Sequence, residues 1–565
     1  MTYTPPVEEQ KFVLRHIGGI EALAAHPLFA EASADVVEAI VEGAGAFAAG
    51  EFAPLNRVGD SIGAKWSADG VTMPPGFREA YAAYVEGGWG TLAGPPDHGG
   101  QGLPLLLATV VMEDLGSANM GFSLVMMLTP GAVEALRHHG SESLRRDWLP
   151  RLVTGEWSGT MNLTEPQAGS DVGALKTRAE PAGDGSWRIV GTKIFITFGE
   201  HDLTDNIVHL VLARTPGAPP GTRGISLFLV PKVLPDGSRN DLRCVSIEHK
   251  LGIHASPTCV MSYGDEGRCV GWLIGEEGGG MRAMFTMMNN ARLNVGLQGV
   301  SIAERATQAA VAYATQRVQG AREGRPAAIV DHPDVRRMLL RMKSLTQAGR
   351  ALAYYTAGLT DRAALGDSAA KARADLLTPL VKAYATDIGV EVASLGVQVH
   401  GGMGYVEETG AAQHYRDARI SPIYEGTNGI QAADLVGRKL RLEGGAVLGR
   451  LLDEMDAEAH GPLAQLAARL RAVAERLAAA EPDDQLAGSY PFLTMLSVAV
   501  CGWLMQRSLA ALETAEASPA FAAMKRAAAA YYLERVVPEA LGLEAEAVAG
   551  AALLYSVDAE TLSAG

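Results

Sequence analysis

The sequence predicts an α+β fold, mostly helical, with strand confined to one internal region. Three observations carry that prediction. Residues 1–155 are Ala-rich segments, such as EASADVVEAIVEGAGAFAAGEF, separated by Gly/Pro breaks. Residues from about 156 to 275 hold short runs of β-branched and aromatic residues parted by turns. From about residue 277 the 3-4 spacing of helices returns. Strands and helices are thus segregated rather than alternating, which disfavours a doubly wound Rossmann sheet. At roughly 100–200 residues per domain, 565 residues imply several domains.

The expected order is an N-terminal helical domain (1–155), a middle β-barrel domain (156–278), a helical bundle (279–446) and an additional C-terminal helical domain (447–565). In the first, GGWGTLAGPPDHGGQGLP (87–104) cannot be helix, because Gly and Pro end helices. In the second, SWRIVGTKIFITFG (186–199), NIVHLVLART (206–215), GISLFLVPK (224–232) and TCVMSYG (258–264) read as antiparallel strands of a small barrel or sandwich. In the third, Val381, Ala385, Ile388, Val392, Leu395 and Val399 share one helical face, which Gly401 and Gly402 then end. Gly444 and Gly445 mark a boundary. In the fourth, Leu463, Leu466, Leu470, Val473 and Leu477 repeat the spacing, and the role expected of this region is packing or oligomerisation.

Bulk properties exclude several functions. The net charge is −16, and the region 450–565 alone carries 8 basic against 16 acidic side chains. Such a chain repels phosphate backbones, so nucleic acid is not an expected partner. The four cysteines form no CxxC pair and have no His at zinc spacing, so no metal site is expected. The N-terminus MTYTPPVEEQKFVLRHIGGI lacks the basic start and apolar run of a secretory signal. The apolar stretch LTMLSVAVCGWLM (493–505) is shorter than the ~18 residues a membrane span needs and reads as a buried helix. The expected setting is cytoplasmic, with no membrane partner. No repeat, Walker motif or strand-linked GxGxxG appears.

Four constellations hold residues suited to chemistry. MNLTEPQAGSDVGALKTRAE (161–180) offers hydroxyls and loop N–H groups, although Ser170 or Asp171 alone also reads as a helix N-cap. In GTKIFITFG (191–199), Phe195 and Thr197 lie two apart on a strand and so share a face. Arg317 suits a pyrophosphate, and Gly401, Gly402 and Gly404 in QVHGGMGYVEE allow backbone to approach a bulky ligand. Finally, SPIYEGTNGIQ (421–431) sets Glu425 between Tyr424 and Gly426; singly, such a Glu is an ordinary surface acid.

Taken together and in order, TEPQAGSD, the Lys-Ile-Phe-Ile-Thr strand, Gln-Val-His-Gly-Gly and Tyr-Glu-Gly-Thr-Asn resemble the acyl-CoA dehydrogenase family over about residues 50–445. The resemblance implies non-covalent FAD and oxidation of an acyl-CoA thioester to the trans-2-enoyl-CoA. It implies Glu425 as the catalytic base, with Tyr424 and Gly426 on the substrate side. Leu163, Thr164 and Ser170 fall at the flavin ring or thioester, and Phe195 and Thr197 beside the flavin. Arg317 and Gln319 fall where a neighbouring subunit grips the pyrophosphate, and Gln398, Gly401 and Gly402 at the adenosine end of a partner's FAD. Thr427 and Asn428 fall on FAD, and Arg292 in the CoA channel. The implied partners are electron-transfer flavoprotein, as acceptor, and a second copy of the chain, in at least a homodimer.

The chemistry agrees with that pattern. A carbon next to a thioester is a weak acid, and a Glu that loses solvation becomes a stronger base for its proton. Three departures stand beside it. Phe195 replaces a Trp usual in the family, Gln319 replaces a Thr or Ser, and Arg438 is offset by one place from the substrate-side arginine that follows the base. The region 447–565 and the N-terminal extension resemble a longer subgroup that includes 3-methylmercaptopropionyl-CoA dehydrogenases of dimethylsulfoniopropionate breakdown and enzymes for short or medium straight chains. An acyl-CoA oxidase-type flavoenzyme and a non-catalytic binding or assembly protein of the same fold are the alternatives.

Overall fold

The structure, a computed structural model, describes residues 3–564. It divides into two compact units. One comprises residues 39–294 together with the segment 3–5; the other comprises residues 6–38 and 295–564. The first contains the helices Phe77–Glu86, Leu105–Ala118, Met120–His139 and Glu142–Thr154 and an eight-stranded sheet. In hydrogen-bonded order, the sheet path runs Val270–Ile274, Ile225–Pro231, Ile207–Arg214, Arg178–Pro181, Trp187–Thr197, Thr258–Tyr263, Leu242–Ile247. Val270–Ile274 also pairs with Trp187–Thr197, and that pairing closes the sheet into a barrel.

The expected antiparallel arrangement holds for most pairs but not for all. Ser158–Asn162 runs parallel to Ile207–Arg214, from Ser158 opposite Ile207 to Asn162 opposite Val211. A parallel pair needs a long crossover, and here the chain makes three other elements between the two strands. Ile207–Arg214 and Ile225–Pro231 are buried almost throughout, which explains their continuous apolar composition. Glycine at 159 lets Ser158–Asn162 lie against the Met120–His139 helix, since a Cβ there would stand 2.6 Å from that of Ala132. The unit also holds a short hairpin, Lys65–Ser67 with Gly70–Thr72, within the region expected to be wholly helical.

The second unit is helical apart from the hairpin Val318–Arg322 with Arg325–Ala328, which the sequence pattern does not signal. Its frame is Gly280–Gln316 (from residue 295), Pro333–Ala364 and Ser368–His400. A Cβ at Gly299 would collide with the Ala385 carbonyl, and one at Gly389 would approach the Gly299 Cα to 2.8 Å. The first and third of these helices therefore cross almost backbone to backbone. The expected face of Ser368–His400 is buried at Val381, Ala385, Ile388, Val392 and Val399, with Leu395 half-buried.

Residues 6–38, grouped with the first domain by the sequence reading, pack in this helical unit, and buried ion pairs explain why. Lys525 Nζ, on the Pro519–Tyr531 helix, donates to Glu9 Oε1 at 2.7 Å, with both side chains buried. Arg350 reaches the same carboxylate oxygen at 3.8 Å and bonds Glu304 at 2.8 Å. The C-terminal region is joined further by Arg341, bidentate to Glu539, and by the Tyr384–Tyr532 hydroxyl pair at 2.9 Å. The apolar stretch near 493–505 extends to a helix of 23 residues, Ser489–Ala511. By length and composition it suffices to cross a membrane, but 83% of its apolar window is buried within the chain.

Removing one partner of a buried ion pair leaves an uncompensated charge, a cost of about 3–5 kcal/mol. Lys525→Met is expected to destabilise the protein by about 3 kcal/mol, read by urea unfolding, whereas Lys525→Met with Glu9→Gln recovers most of the loss.

Candidate active site

The candidates in the barrel unit collect around one buried ion pair. Lys193, with no exposed surface, donates from Nζ to Glu165 Oε1 at 2.8 Å and to the Leu163 carbonyl at 2.9 Å. The Thr164 carbonyl accepts from the Ile194 N–H at 2.9 Å. Glu165 also accepts from the N–H groups of Lys176 (2.6 Å) and Thr177 (2.9 Å) and from the Thr177 hydroxyl (2.5 Å). Burial alone would raise this carboxyl, but the Lys193 ammonium and the hydrogen bonds outweigh it and hold the group down at about 2. The carboxylate thus ties the TEPQAGSD loop to the Trp187–Thr197 strand. Ser170 lies exposed at the end of that loop, and Asp171 precedes only a three-residue 3-10 turn, with no side-chain capping bond.

The Trp187–Thr197 strand carries a bulge between Lys193 and Ile196, where the register against Thr258–Tyr263 slips. Phe195 sits in it with φ 58°, a left-handed conformation rare for an aromatic residue, and is 57% exposed. Ile196 is buried, while Thr197 on its other side is half-buried. Phe195 and Thr197 therefore stay on the outer face despite the bulge. A large aromatic ring held outward by strained backbone fits a flat cofactor ring that stacks on it. Arg292, expected to line the CoA channel, lies in this unit on the Gly280–Gln316 helix and is only 6% exposed.

In the helical unit, Glu425 stands in the loop before the Asn428–Gly437 helix. Its φ is 57° and that of Gly426 is 82°, two successive left-handed residues. For a glutamate that is uncommon and costs on the order of 1–3 kcal/mol. The surroundings hold it there. The Tyr424 hydroxyl donates to Gln298 Oε1. Gln431 Nε2 donates to the carbonyls of Glu425 (3.3 Å) and Gly426 (3.4 Å). The Asn428 N–H reaches back to the Pro422 carbonyl at 3.0 Å, and the Thr427 hydroxyl caps the helix by accepting from the Ile430 N–H at 3.2 Å. Burial, with the Glu425 charge, pushes the Tyr424 phenol well above its ordinary range, so it stays a neutral donor.

Asn428 and Arg438 are placed differently from expectation. The Asn428 side chain does not project from the loop but is 4% exposed and turned inward. It accepts from Lys382 Nζ at 2.9 Å and donates toward Thr386 Oγ1 (3.0 Å), Asp387 Oδ1 (2.9 Å) and the Ala383 carbonyl (3.1 Å). Its amide is a clamp to the Ser368–His400 helix, so any side-chain contact with a cofactor is pre-empted. Arg438 is bidentate to Asp434, one helical turn back, at 2.7 and 3.0 Å, which engages its fork in an exposed helix ion pair.

The remaining candidates gather at the far end of the same long helix. Tyr313 stacks on His400 with ring centroids 4.4 Å apart; Arg317 lies one turn beyond Tyr313, and Gly401 directly follows His400. Arg317, Gln319, Gln398, Gly401 and Gly402 are all exposed. Among the described residues, the Arg317 guanidinium has no ion-pair partner, and a Cβ at Gly401 or Gly402 would meet nothing within 4 Å. An open glycine turn beside an uncommitted guanidinium fits a pyrophosphate-bearing cofactor such as FAD. Gln319 stands on the hairpin rather than a helix, and its carbonyl is 2.8 Å from His332 Nε2.

Sequence reasoning missed the supports: Glu165, Lys193, Gln298, Lys382, Asp387 and Gln431. The one local signal was a charged residue, Lys382, inside an apolar helical stretch, where a lysine persists only if partnered.

Comparison with known proteins places this geometry in a family. Residues 35–156, 160–265 and 278–440 match the N-terminal, middle and C-terminal domains of acyl-CoA dehydrogenase, and residues 447–558 match a domain described as acetyl-CoA dehydrogenase C-terminal like. The chain is 48% identical over 545 residues to 3-methylmercaptopropionyl-CoA dehydrogenase of Ruegeria pomeroyi, covering 91% of this chain and 92% of that one. It is 37% identical over 535 residues to a butyryl-CoA dehydrogenase of Syntrophomonas wolfei, covering 87% and 88%. Among solved structures, an acyl-CoA dehydrogenase complexed with FAD from Bacillus anthracis superposes with a TM-score of 0.75 at 23% identity, over 95% of this chain and 91% of that one.

Because Glu165 is held below its ordinary value of 4.5, its stabilisation is complete above that pH and is lost as pH falls toward 2. Glu165→Gln is expected to flatten the acid limb of stability across that window, measured by urea unfolding at a series of pH values.

Proposed function

The chain belongs to the acyl-CoA dehydrogenase family and is an FAD-dependent oxidoreductase acting on acyl-CoA thioesters, and from that premise we propose that it oxidises 3-methylmercaptopropionyl-CoA with Glu425 as base. The observation that carries the substrate is the 48% identity to the Ruegeria pomeroyi enzyme, which spans nearly the whole of both chains. A short straight acyl chain is the second reading, favoured by the butyryl-CoA dehydrogenase relative.

In this reading Glu425 takes the proton from the carbon next to the thioester carbonyl. Its strained backbone aims the carboxylate, and Gly426 leaves space for the thioester. Hydrogen bonds to the thioester oxygen stabilise the charge that develops there. FAD, when bound, supplies the acceptor for the hydride that leaves the β-carbon. Phe195 and Thr197 cover the flavin, with Leu163, Thr164 and Ser170 beside it. Arg317 and Gln319 grip the pyrophosphate of a neighbouring subunit's FAD, and Gln398, Gly401 and Gly402 lie along the adenosine end of a partner's FAD. Arg292 and Tyr424 act on the substrate side. In this reading the enzyme works in the cytoplasm and as a homodimer, and exposed Val318, Met403, Tyr405 and Val406 around the Arg317 turn support the dimer. Two electrons leave the flavin in each cycle, and electron-transfer flavoprotein is the proposed acceptor.

Anaerobic addition of 3-methylmercaptopropionyl-CoA is expected to bleach the flavin band, faster than butyryl-CoA or octanoyl-CoA; no bleaching by the thioether substrate would overturn the assignment. Glu425→Gln should keep its flavin but turn over at least ~100-fold more slowly. Arg317→Ala should lose FAD on dialysis, which absorbance of the dialysed protein reports.

A further inference from the structure

We propose that Tyr490, in the C-terminal helical extension, is a positioning residue for the base loop, acting through Asp387 and Asn428 on Glu425. This rests on the reading of Glu425 as base. The hydroxyl of Tyr490 donates to Asp387 Oδ2 at 2.6 Å, while Asp387 Oδ1 accepts from Asn428 Nδ2 at 2.9 Å. Asn428 opens the helix only two residues after the left-handed pair Glu425–Gly426. The donor from Lys382 and the acceptor on Asp387 together fix which way the Asn428 amide points. Each link is a single hydrogen bond between side chains on different elements, so the chain has one arrangement that satisfies all of them.

The arrangement makes the extension part of the active loop's support. Tyr490 lies at the start of Ser489–Ala511, a helix otherwise buried in the unit, and its hydroxyl is the group that reaches Asp387. Asp387 sits mostly buried, and burial pushes its carboxyl above the ordinary range. Tyr490 and Asn428 donate to it, and the cations Lys382 and Arg419 face it. Without the phenol, one oxygen of a buried carboxylate loses its donor, and the cheapest repair is to recruit the Asn428 amide more fully, which pulls on the loop. A shift of about 1 Å at a reacting group can cost up to ~100-fold in rate.

The test is Tyr490→Phe in the FAD-loaded full-length enzyme, with Glu425→Gln alongside. Expected for Tyr490→Phe are unchanged flavin content and KM, kcat lowered about ten-fold as the base is displaced by a fraction of an ångström, and a larger primary isotope effect with α-deuterated substrate. Adding Asp387→Asn to Tyr490→Phe should cost no more than Asp387→Asn alone, since both act through one chain. Wild-type kcat and isotope effect in Tyr490→Phe, with Glu425→Gln crippled, would overturn the inference and leave the base assignment standing. Lowered flavin content or additive losses would also overturn it, by showing a merely structural role. Unimpaired Glu425→Gln would overturn the base assignment itself.

Discussion

Two long helices crossing with no side chain between them are the constraint on which the helical unit depends. Gly299 and Gly389 allow the contact, and any Cβ at Gly299 would strike backbone. Because the backbones meet, residues next to the crossing on both helices face the same loop. Gln298 approaches it from one helix, and Lys382, Thr386 and Asp387 from the other. A loop with two successive left-handed residues needs such over-determination, since strain persists only where neighbours fix it. The apolar packing of the bundle therefore serves an aim that apolar contacts could not reach alone: it sets polar groups within hydrogen-bond distance of Tyr424 and Asn428, the residues that flank the strained backbone of Glu425.

The barrel unit solves a similar problem with charge. Its TEPQAGSD loop is small, polar and Gly-containing, with little apolar surface to hold it. Glu165 and Lys193 compensate, each buried and each bonded to more than its partner. A buried ion pair is poor evidence of stability in itself, but it is demanding about geometry. Here that demand fixes the loop against the bulged strand that presents Phe195.

How much of this was legible in the sequence follows from the range of each interaction. Helical and strand regions showed in local composition and period, and the buried runs at 206–215 and 224–232 were plain. The hairpins at 65–72 and 318–328 were not, being short, Gly-containing and charged. Ser158–Asn162 escaped because SGTMN has few β-formers; its strand conformation is imposed by pairing with Ile207–Arg214. Glu425, Phe195 and Arg317 came from the order of motifs, whereas their supports come from partners far along the chain. Asn428 illustrates the limit: its place beside the base suggested a cofactor contact, and only the helix 41 residues earlier reveals the amide as a clamp. The extension, read as packing or oligomerisation, meets Asp387 through Tyr490 from 103 residues away.

The pairing of Glu9 with Lys525 joins positions 516 residues apart in sequence. A ribosome adds about 5–20 residues per second, so the carboxylate of the first helix waits roughly 25–100 seconds for its ammonium. Throughout that interval the apolar side chains of the nascent N-terminal segment, Phe12, Val13 and Leu14, lack the burial they have in the folded chain. The helical unit closes last-to-first: its first helix meets its buried ammonium only once Lys525 has been made. Few contacts are more non-local, and folding rates fall steeply as such contacts accumulate.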